Sequence, residues 1–368
     1  MINTLFLQSE VADPYALYAE MHKNAPVCHD RENGIWAVYT HAACRQILES
    51  DMARIPPQNP ASLPLMNASS TTLTDGFARL ANPPRHAARR DAVMRLFASM
   101  RPVDGGRLLA ELIPASGECD WVGAVARKLP ALAVLRAFDF SDSDAATVLD
   151  NIERLTKIML PNKTAQQMEG INAAAECILA SCERQLARVG LAGDAQERSL
   201  LAANLVGLLV QSVDAGRGLL CNALLQALRL PVLPQGEGWQ RMVVETMRYD
   251  PPIQNTRRVL AGTVEAGGIM LPEGAAVLLV LASANRDEAV FADAGSFSLQ
   301  RGNNADQLGF GAGAHVCPAH RFTAELAAGA LAAFFGEGRC AELLQPDIAY
   351  EPMVNARLPR EILLRYSS

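Results

Sequence analysis

A single cysteine stands inside a glycine-rich segment near the end of the chain, in the stretch FGAGAHVCPAHR. Gly311 and Gly313 permit backbone turns that are closed to other residues, and Pro318 favours the first position of a helix. The stretch therefore predicts that Cys317 lies at a helix N-terminus. The partial positive charge there favours a thiolate, so Cys317 is the chain's leading candidate for sulfur chemistry.

The remaining cysteines show no pattern that indicates chemistry. They include no CxxC pair and no clustering typical of disulfides. Two of them lie five residues apart on a predicted helix and are expected to be packed thiols. The seven residues are Cys28, Cys44, Cys119, Cys177, Cys182, Cys221 and Cys340.

The composition is that of a soluble globular protein. Of 368 residues, 50% are hydrophobic and 20% charged, and the net charge of −6 offers no basic footprint for nucleic acid. The N-terminus has no basic start and only a very short apolar run, so no secretory signal is predicted. The most apolar helical stretch, 200–213, is too short to cross a bilayer. We therefore expect a cytoplasmic protein with neither nucleic acid nor membrane as a partner.

Sequence periodicity predicts mainly helices with small sheets. Helices are expected in most of 105–230, and strands where apolar residues alternate. Residues 52–80 are rich in Pro, Asn, Ser and Thr and predict a long irregular loop. The sequence thus predicts one helix-rich domain over 1–368. The other expected elements are a helix at 14–22, a Thr-capped helix at 40–50, a basic helix after Pro84, sheets near 35–40 and 258–282, and a terminal hairpin at 348–366.

The cysteine segment resembles the heme-binding signature of the cytochrome P-450 family, F-G-x-G-x-H-x-C-x-G. Phe310, Gly311, Gly313, His315 and Cys317 match it in order, and Ala319 stands at the last glycine. The resemblance implies the P-450 fold, with heme b (iron protoporphyrin IX) between two central helices. It implies Cys317 as the axial ligand of the heme iron, with Phe310, His315 and Ala319 around the cofactor. A packed thiol without heme remains the alternative.

The segment ETMRYDPP resembles the family's E-x-x-R motif. Glu245 and Arg248 lie three residues apart, which places them on one face of a helix. The resemblance implies a structural ion pair with a third partner just before the phenylalanine of a later loop. In DAGSFSLQR that position holds Ser296, so the usual network of three residues is not expected.

Two further segments resemble the family's heme-propionate sites. NPPRHAARR is similar to D-P-P-x-H-x-x-x-R, with Asn82 in place of the aspartate. The resemblance implies that His86 and Arg90 pair with a propionate, a carboxylate that needs charged donors. In PPIQNTRRV, Arg258 falls at the second propionate position, with Arg257 as the fallback, and His315 completes the set.

The family's central helix carries A-G-x-[DE]-T, and here the corresponding stretch is LLVQSVDAG. Asp214 keeps the acid and is implied to relay protons, but Ala215 replaces the alcohol. Three explanations stay open. The amide of Gln211 or a water held by it replaces the hydroxyl, a substrate hydroxyl does so, or the protein does not activate O2 in the usual way.

The resemblance also locates a substrate site. By family position it involves the loop 55–80, the region 155–172, the segment 253–256 and the turn 354–356. Several apolar residues there suggest an apolar pocket, and amides could orient a polar group. The candidates are Leu63, Leu65, Met66, Met159 and Val354 for apolar contacts, and Asn255, Asn355 and Gln211 for polar ones.

The implied function is a heme-thiolate monooxygenase. It would oxidise a small or medium, partly apolar organic molecule, free or carrier-tethered, in natural-product tailoring. No reductase domain is recognised, so electrons would come from a ferredoxin and its reductase or similar donors, docking near Arg89, His320 and Arg321. One alternative is a heme-thiolate peroxygenase, isomerase or dehydratase. Another is a non-catalytic heme protein that presents a ligand to a partner.

Overall fold

The computed structural model describes residues 4–191 and 193–367. Their architecture is mainly helical with three small sheets, which confirms the predicted fold class. In chain order the elements are α1 (Pro14–Asn24), β1 (Val27–Asp30), β2 (Ile35–Val38), α2 (His41–Glu49), β3 (Ala53–Arg54), α3 (Ala68–Gly76), α4 (Arg85–Ser99), α5 (Gly105–Leu112), β4 (Gly117–Asp120), α6 (Leu129–Ala137), α7 (Asp142–Thr156), α8 (Ala165–Arg188), α9 (Ala195–Ala227), α10 (Gly238–Tyr249), β5 (Thr256–Leu260), β6 (Val264–Ala266), β7 (Ile269–Leu271), β8 (Ala276–Leu279), α11 (Leu281–Ala284), α12 (His320–Phe334), β9 (Cys340–Leu343) and β10 (Leu363–Ser367).

The chain divides into two compact units. The first unit comprises three segments: the one that ends at Pro56, Gly105–Ala126, and the one that begins at Asp214. The second unit comprises Pro57–Asp104 and Arg127–Val213. The expectation of one domain stays a prediction.

The main sheet of the first unit has the strand order β1-β2-β8-β5-β3. Strands β2 and β8 run parallel, and the other neighbours are antiparallel. Three of the four β8 residues are buried, as expected for a central strand flanked on both sides. The apolar core of this unit packs α2 against the sheet through Ile47, Val277 and Leu279.

The carboxyl-terminal segment differs from the predicted hairpin. Two backbone hydrogen bonds, Glu351 N–H to Leu358 and Arg360 N–H to Ala349, give a short hairpin-like turn. The strand that follows, β10, instead lies between β4 and β9 in a separate sheet. Neither partner strand adjoins β10 in the sequence. Alternation of apolar residues indicates a strand but does not indicate which strands it pairs with.

Residues 52–80 contain more structure than predicted. The segment includes α3 and two 3-10 turns, Pro60–Leu65 and Ala78–Leu80. Helix α3 begins because the Asn67 side chain accepts a hydrogen bond from the Ser70 N–H at 2.9 Å, which is an N-cap interaction. Asn, Ser and Thr are common in loops as well as at helix starts. The composition of this stretch therefore predicted a loop where the structure has α3.

Helix α9 is longer than the predicted apolar stretch and runs over 33 residues. Within the described chain it is the one helix long and apolar enough to cross a membrane, and 61% of its most apolar window is buried inside the protein. Burial of this extent is typical of a core helix.

Candidate heme-thiolate site

The loop that carries Cys317 is folded by its glycines. Gly311 and Gly313 have φ angles of +73° and +66°, in the left-handed region. The Cys317 N–H donates to the Phe310 carbonyl oxygen at 2.8 Å, which closes the loop. Cys317 is thereby held half-buried, three residues before α12 begins. The sequence predicted this placement.

The N-terminus of α12 favours a negative sulfur. This helix of 15 residues has no side-chain cap at Ala319, and Pro318 lacks an N–H. The first N–H groups of a helix have no partner inside it and carry partial positive charge. The ring of His320 also lies close, with Nδ1 3.1 Å from the Cys317 carbonyl oxygen. A helix N-terminus is a position at which a cysteine thiolate is favoured.

Gly313 has a role that the sequence did not reveal. A Cβ at this position would lie 2.4 Å from the Leu48 carbonyl oxygen at the end of α2. The glycine therefore lets the cysteine loop pack directly on the backbone of α2. At Gly311 the nearest atom to a Cβ would be the His315 carbonyl oxygen, at 3.7 Å. Of these two loop glycines, Gly313 is the one required for a close approach to another segment.

Strand register determines which arginine of the pair 257–258 points inward. In β5, Arg258 is opposite Val277 of β8 and is buried, whereas its neighbour Arg257 is exposed. Arg258 Nη1 donates to Thr256 Oγ1 at 3.2 Å and to the Arg257 carbonyl oxygen at 2.8 Å. A buried guanidinium at the predicted position is the donor type that a carboxylate needs.

Three other predicted heme contacts lie on the cysteine loop and are half-buried. His315 ends the 3-10 turn Gly313–His315, and Ala319 is the residue before α12. The ring of Phe310 lies with its centroid 6.1 Å from that of His320. The loop therefore brings Phe310, His315, Cys317 and Ala319 together within ten residues.

His86 and Arg90 belong to the second unit, on α4. They lie one turn apart, so their side chains share a helix face. His86 is buried, and this burial, together with the positive charge of Arg90, lowers the pKa of its imidazole. Arg89 is half-buried and donates to the carbonyl oxygens of Asp75 and Arg85. His320 and Arg321, by contrast, are exposed.

The Glu245–Arg248 pair is fully buried, and its third partner is Arg301. Arg248 donates to both carboxylate oxygens of Glu245, at 2.9 and 2.6 Å. Arg301 Nε donates to Oε1 at 3.3 Å, and the Ser298 N–H donates to the same oxygen at 2.9 Å. The expectation of an incomplete network was wrong. The missed residue is the arginine that ends the same DAGSFSLQR stretch, five residues after Ser296.

One face of α9 keeps accessible surface in an otherwise buried stretch of helix. Gln211, Ser212, Asp214 and Ala215 are half-buried, whereas the residues that follow, 216–227, are buried. Gln211 Nε2 donates to the Gly207 carbonyl oxygen at 2.8 Å, one turn earlier. This bond fixes the orientation of the amide through one of its two N–H groups, and the amide oxygen points away from the helix backbone and can orient another group.

The predicted substrate residues differ in exposure. Leu63 and Leu65 are 51% and 42% exposed. Asn355 is also exposed, whereas Asn255 is buried. The Asn255 amino group donates to the Val354 carbonyl oxygen at 2.9 Å, which brings two predicted residues into contact. The half-buried residues of the set are Met66, Met159 and Val354.

Comparison with known proteins supports the family resemblance. A family model described as Cytochrome P450 matches residues 239–327, the range that carries Glu245, Arg248, Arg258 and Cys317. The match supports a bacterial-type cytochrome P450. A Mycobacterium tuberculosis relative, "Putative cytochrome P450 140", is 27% identical over 83% of this chain and 78% of its own length. A Bacillus subtilis relative, "Putative cytochrome P450 YjiB", is 23% identical over 90% of this chain and 89% of its own.

Solved P450 structures share the fold. The crystal structure of CalO2 has a TM-score of 0.86 and 22% identity, and the match covers 99% of both chains. That of P450BioI with an acyl-carrier-protein-linked fatty acid has a TM-score of 0.80 and 17% identity, over 96% of this chain and 98% of that one. These neighbours support the P450 fold of this chain.

The cofactor of the P450 family is heme, and the donor set of this chain fits it. Within the first unit, Cys317 offers a sulfur ligand at a helix N-terminus, and Arg258 offers a buried guanidinium. His315 adds an imidazole on the same loop as the sulfur. Thiolate for iron and cationic nitrogen for carboxylates are the two kinds of donor that heme b requires.

Proposed function

We propose that this P450 is a monooxygenase that oxidises a small or medium, partly apolar organic substrate with O2 and electrons from separate redox proteins. The observation that carries the proposal is the placement of Cys317. Its loop is closed by a backbone hydrogen bond and fixed by two left-handed glycines, directly before a helix N-terminus without a side-chain cap. When bound, thiolate-ligated heme supplies the electron density that favours O–O bond cleavage.

The residues of this chain divide the remaining tasks. Cys317 provides the axial sulfur, and the α12 N-terminus stabilises its negative charge. We assign His86, Arg90, Arg258 and His315 to the propionates, because each offers a cationic or N–H donor. Glu245, Arg248 and Arg301 hold the polypeptide that precedes the cysteine loop.

Proton delivery is assigned to α9. Asp214 is half-buried and can exchange protons with water. Ala215 has no hydroxyl to pass a proton on, so another donor must be positioned by the helix. The Gln211 amide oxygen is suited to hold a water or a substrate hydroxyl, because the amide nitrogen is fixed on the Gly207 carbonyl oxygen.

The redox partners and the form of the substrate are proposed from the chemistry of the reaction and from a structural neighbour. Electrons would come from a ferredoxin and its reductase or similar donors, on a surface that includes His320 and Arg321. The structural neighbour P450BioI was solved with an acyl carrier protein. We therefore propose that the substrate is either free or carrier-tethered, with natural-product tailoring in the cytoplasm as the setting.

Ala215 favours a second candidate function. Without a side-chain hydroxyl at this position, the protein could use peroxide or catalyse an isomerisation or dehydration. Turnover with hydrogen peroxide and no reductant would support this candidate. Turnover that needs both O2 and a redox chain would support the monooxygenase.

The deciding experiment is the absorption spectrum of the reduced, carbon-monoxide-bound protein. We expect the red-shifted Soret band that thiolate ligation gives. Cys317→Ser should abolish this band, whereas Cys177→Ser, at an exposed cysteine, should leave it intact. A wild-type protein without the band, or a Cys317→Ser protein that keeps it, would disprove the proposal.

A further inference from the structure

The side chain of Asn255 is fixed in one orientation. Its amino group donates to the Val354 carbonyl oxygen at 2.9 Å. The flipped amide would bring two acceptors face to face, so the nitrogen must point to Val354. The amide oxygen Oδ1 then points elsewhere. It is buried and has no hydrogen-bond partner in the described part of the chain.

The backbone on both sides of this contact is also fixed. The Gln254 N–H donates to the Asn355 carbonyl oxygen at 2.9 Å, and the Arg357 N–H donates to the Pro252 carbonyl oxygen at 2.9 Å. Ile253 and Ala356 form an antiparallel bridge between these bonds. The position of Oδ1 is therefore determined by main-chain pairing, and the acceptor is held rigidly.

Besides Asn255, four buried amides have oxygens without a partner in the described residues, those of Gln8, Asn222, Gln254 and Asn304. Asn222 and Gln254 are fully enclosed, near Asp250 and Tyr15, and donate within the chain. Asn255 retains 6% exposure. Three residues next to it are only half-buried, so a molecule can lie against this part of the chain. These residues are Ile253, Thr256 and Val354.

We propose that Asn255 Oδ1 accepts a hydrogen bond from a hydroxyl or N–H group of the bound substrate. The protein would then select molecules that carry a hydrogen-bond donor at that point. The inference rests on the proposed function, because it takes the start of β5 as part of the substrate site. A buried acceptor that stays unpaired opposes binding, so an analogue whose donor is capped by a methyl group is rejected.

A buried water is the competing explanation for Oδ1. Such a water would satisfy the oxygen with every ligand alike and would create no preference between a donor and its methyl-capped analogue. The preference itself therefore distinguishes a substrate contact from a water site.

The test uses heme-loaded protein and matched pairs of probes. The pairs are para-phenylphenol and its methyl ether, indole and N-methylindole, and decanol and decyl methyl ether. Dissociation constants are measured by isothermal titration calorimetry, which does not depend on turnover. We expect the donor member of at least one pair to bind about tenfold or more tightly than its methylated analogue.

Asn255→Leu should remove the preference. The donor probe should bind more weakly, and the methylated probe should bind as tightly as before or more tightly. Asn222→Leu is the matched control, because it deletes an amide with the same hydrogen-bond pattern elsewhere, and it should keep the preference. If Asn255→Leu does not fold, Asn255→Asp serves instead. It retains an acceptor and adds negative charge, so it should bind protonated para-phenylbenzylamine more tightly than the wild type does.

The proposal is overturned if no donor probe binds in preference to its analogue, if no probe binds at all, or if Asn255→Leu keeps the preference. The proposal is also overturned if Asn255→Asp binds protonated para-phenylbenzylamine no more tightly than the wild type does. These results differ from a failure of the proposed function, which the carbon-monoxide spectrum detects. A protein with the thiolate band and no donor preference refutes only the role of Asn255.

Discussion

Arg248 and Arg301 donate to the same carboxylate oxygen, Oε1 of Glu245, at 2.6 and 3.3 Å. All three side chains are buried. Two cations therefore share one anion, and backbone carbonyl oxygens take up the remaining donors. Both arginines reach the carbonyl of Ser296, at 2.9 and 3.2 Å. Ser296 thus contributes its main chain to the network, and Arg301 supplies the third ionic side chain.

Replacing Arg301 by alanine should destabilise the protein, because it removes one of the two cations on the buried Glu245 carboxylate and the donor to the carbonyl oxygens of Ala292, Asp293 and Ser296. We expect a loss of about 2–3 kcal/mol in the free energy of unfolding, measured by urea denaturation. Ser296→Ala is the control and should change stability by less than about 0.5 kcal/mol, because its side chain is exposed. Equal effects of the two variants would contradict the assignment.

Substitution of the two loop glycines should have unequal effects. Gly311→Ala introduces a Cβ at φ +73° whose nearest atom, the His315 carbonyl oxygen, lies at an ordinary contact distance of 3.7 Å, so its cost is about 1–2 kcal/mol of backbone strain. Gly313→Ala carries a similar strain at φ +66° and also places its Cβ 2.4 Å from the Leu48 carbonyl oxygen. Because that oxygen belongs to the backbone, the cysteine loop must move.

The measurement is heme content per protein together with the denaturation midpoint. Gly313→Ala should lose more of both than Gly311→Ala. If the two variants behave alike, the contact between the cysteine loop and α2 does not constrain the site.

The cysteine loop could be predicted because its determinants are local. Two glycines, a histidine, a cysteine and a proline within eight residues define turns and a helix start by their own backbone preferences. The register after the double proline of the family pattern favoured Arg258 over Arg257, and the two arginines do face opposite sides of β5, with Arg258 buried.

Contacts between distant segments could not be predicted. Helix α2 was expected to be capped by Thr40, yet Thr40 makes no side-chain cap bond. The His41 N–H donates instead to Asp287 Oδ2, 246 residues away, at 2.9 Å. Arg301 escaped prediction for the same reason, because its distance from Glu245 depends on the tertiary fold. Patterns in a single sequence can predict turns from local residue preferences, but they cannot predict contacts between segments that are far apart in the sequence.

Asn172 on α8 fixes the start of α3 and the turn before it. Its Oδ1 accepts from the Asn67 N–H at 3.1 Å and from Ser70 Oγ at 2.8 Å, and its Nδ2 donates to the Leu65 carbonyl oxygen at 2.8 Å. Asn172→Ala removes all three bonds. We expect amide hydrogen exchange in 57–70 to become about tenfold faster.

Asn172→Asp should give an intermediate rate, because it keeps the two accepted bonds and loses the donor to Leu65. Asn151→Ala is the control. Its amide donates only to the Thr147 carbonyl oxygen of its own helix, so exchange in 57–70 should not change. Unchanged exchange in Asn172→Ala would show that other contacts hold this segment.

Gln211→Ala tests proton delivery under the proposed function. The substitution removes the one amide that α9 presents a turn before Ala215. Protons should then reach the reacting oxygen less reliably, and reduced oxygen should leave as peroxide. We expect product formed per reductant consumed to fall by about tenfold. Ser212→Ala is the comparison, since its hydroxyl donates to the Leu209 carbonyl oxygen at 2.8 Å. If only Ser212→Ala lowers the product formed per reductant consumed, the Ser212 hydroxyl rather than the Gln211 amide has the role in proton delivery.

The pair His22–Asp287 should make stability depend on pH. The two side chains lie 3.2 Å apart. The adjacent Asp287 carboxylate raises the pKa of His22 above 6.5, against the opposing effect of burial. Burial would raise the pKa of Asp287, but the adjacent His22 and hydrogen bonds from the N–H groups of His41 and Ala289 outweigh it and lower the pKa to about 2.

The sign of each contribution follows from these shifts. The His22 contribution is complete below pH 6.5 and is lost as pH rises through its raised pKa. The Asp287 contribution is complete above pH 3.8 and is lost as pH falls through about 2. Both are present together between pH 3.8 and 6.5.

A double-mutant cycle over pH measures this coupling. His22→Gln should reduce the free energy of unfolding most between pH 4 and about 6, and by progressively less as pH rises further. In an Asp287→Asn background the effect of His22→Gln should be small and independent of pH, because the charged partner is gone. A coupling energy that stays constant up to pH 9 would show that neutral hydrogen bonding, rather than the ion pair, joins α1 to the residues after α11.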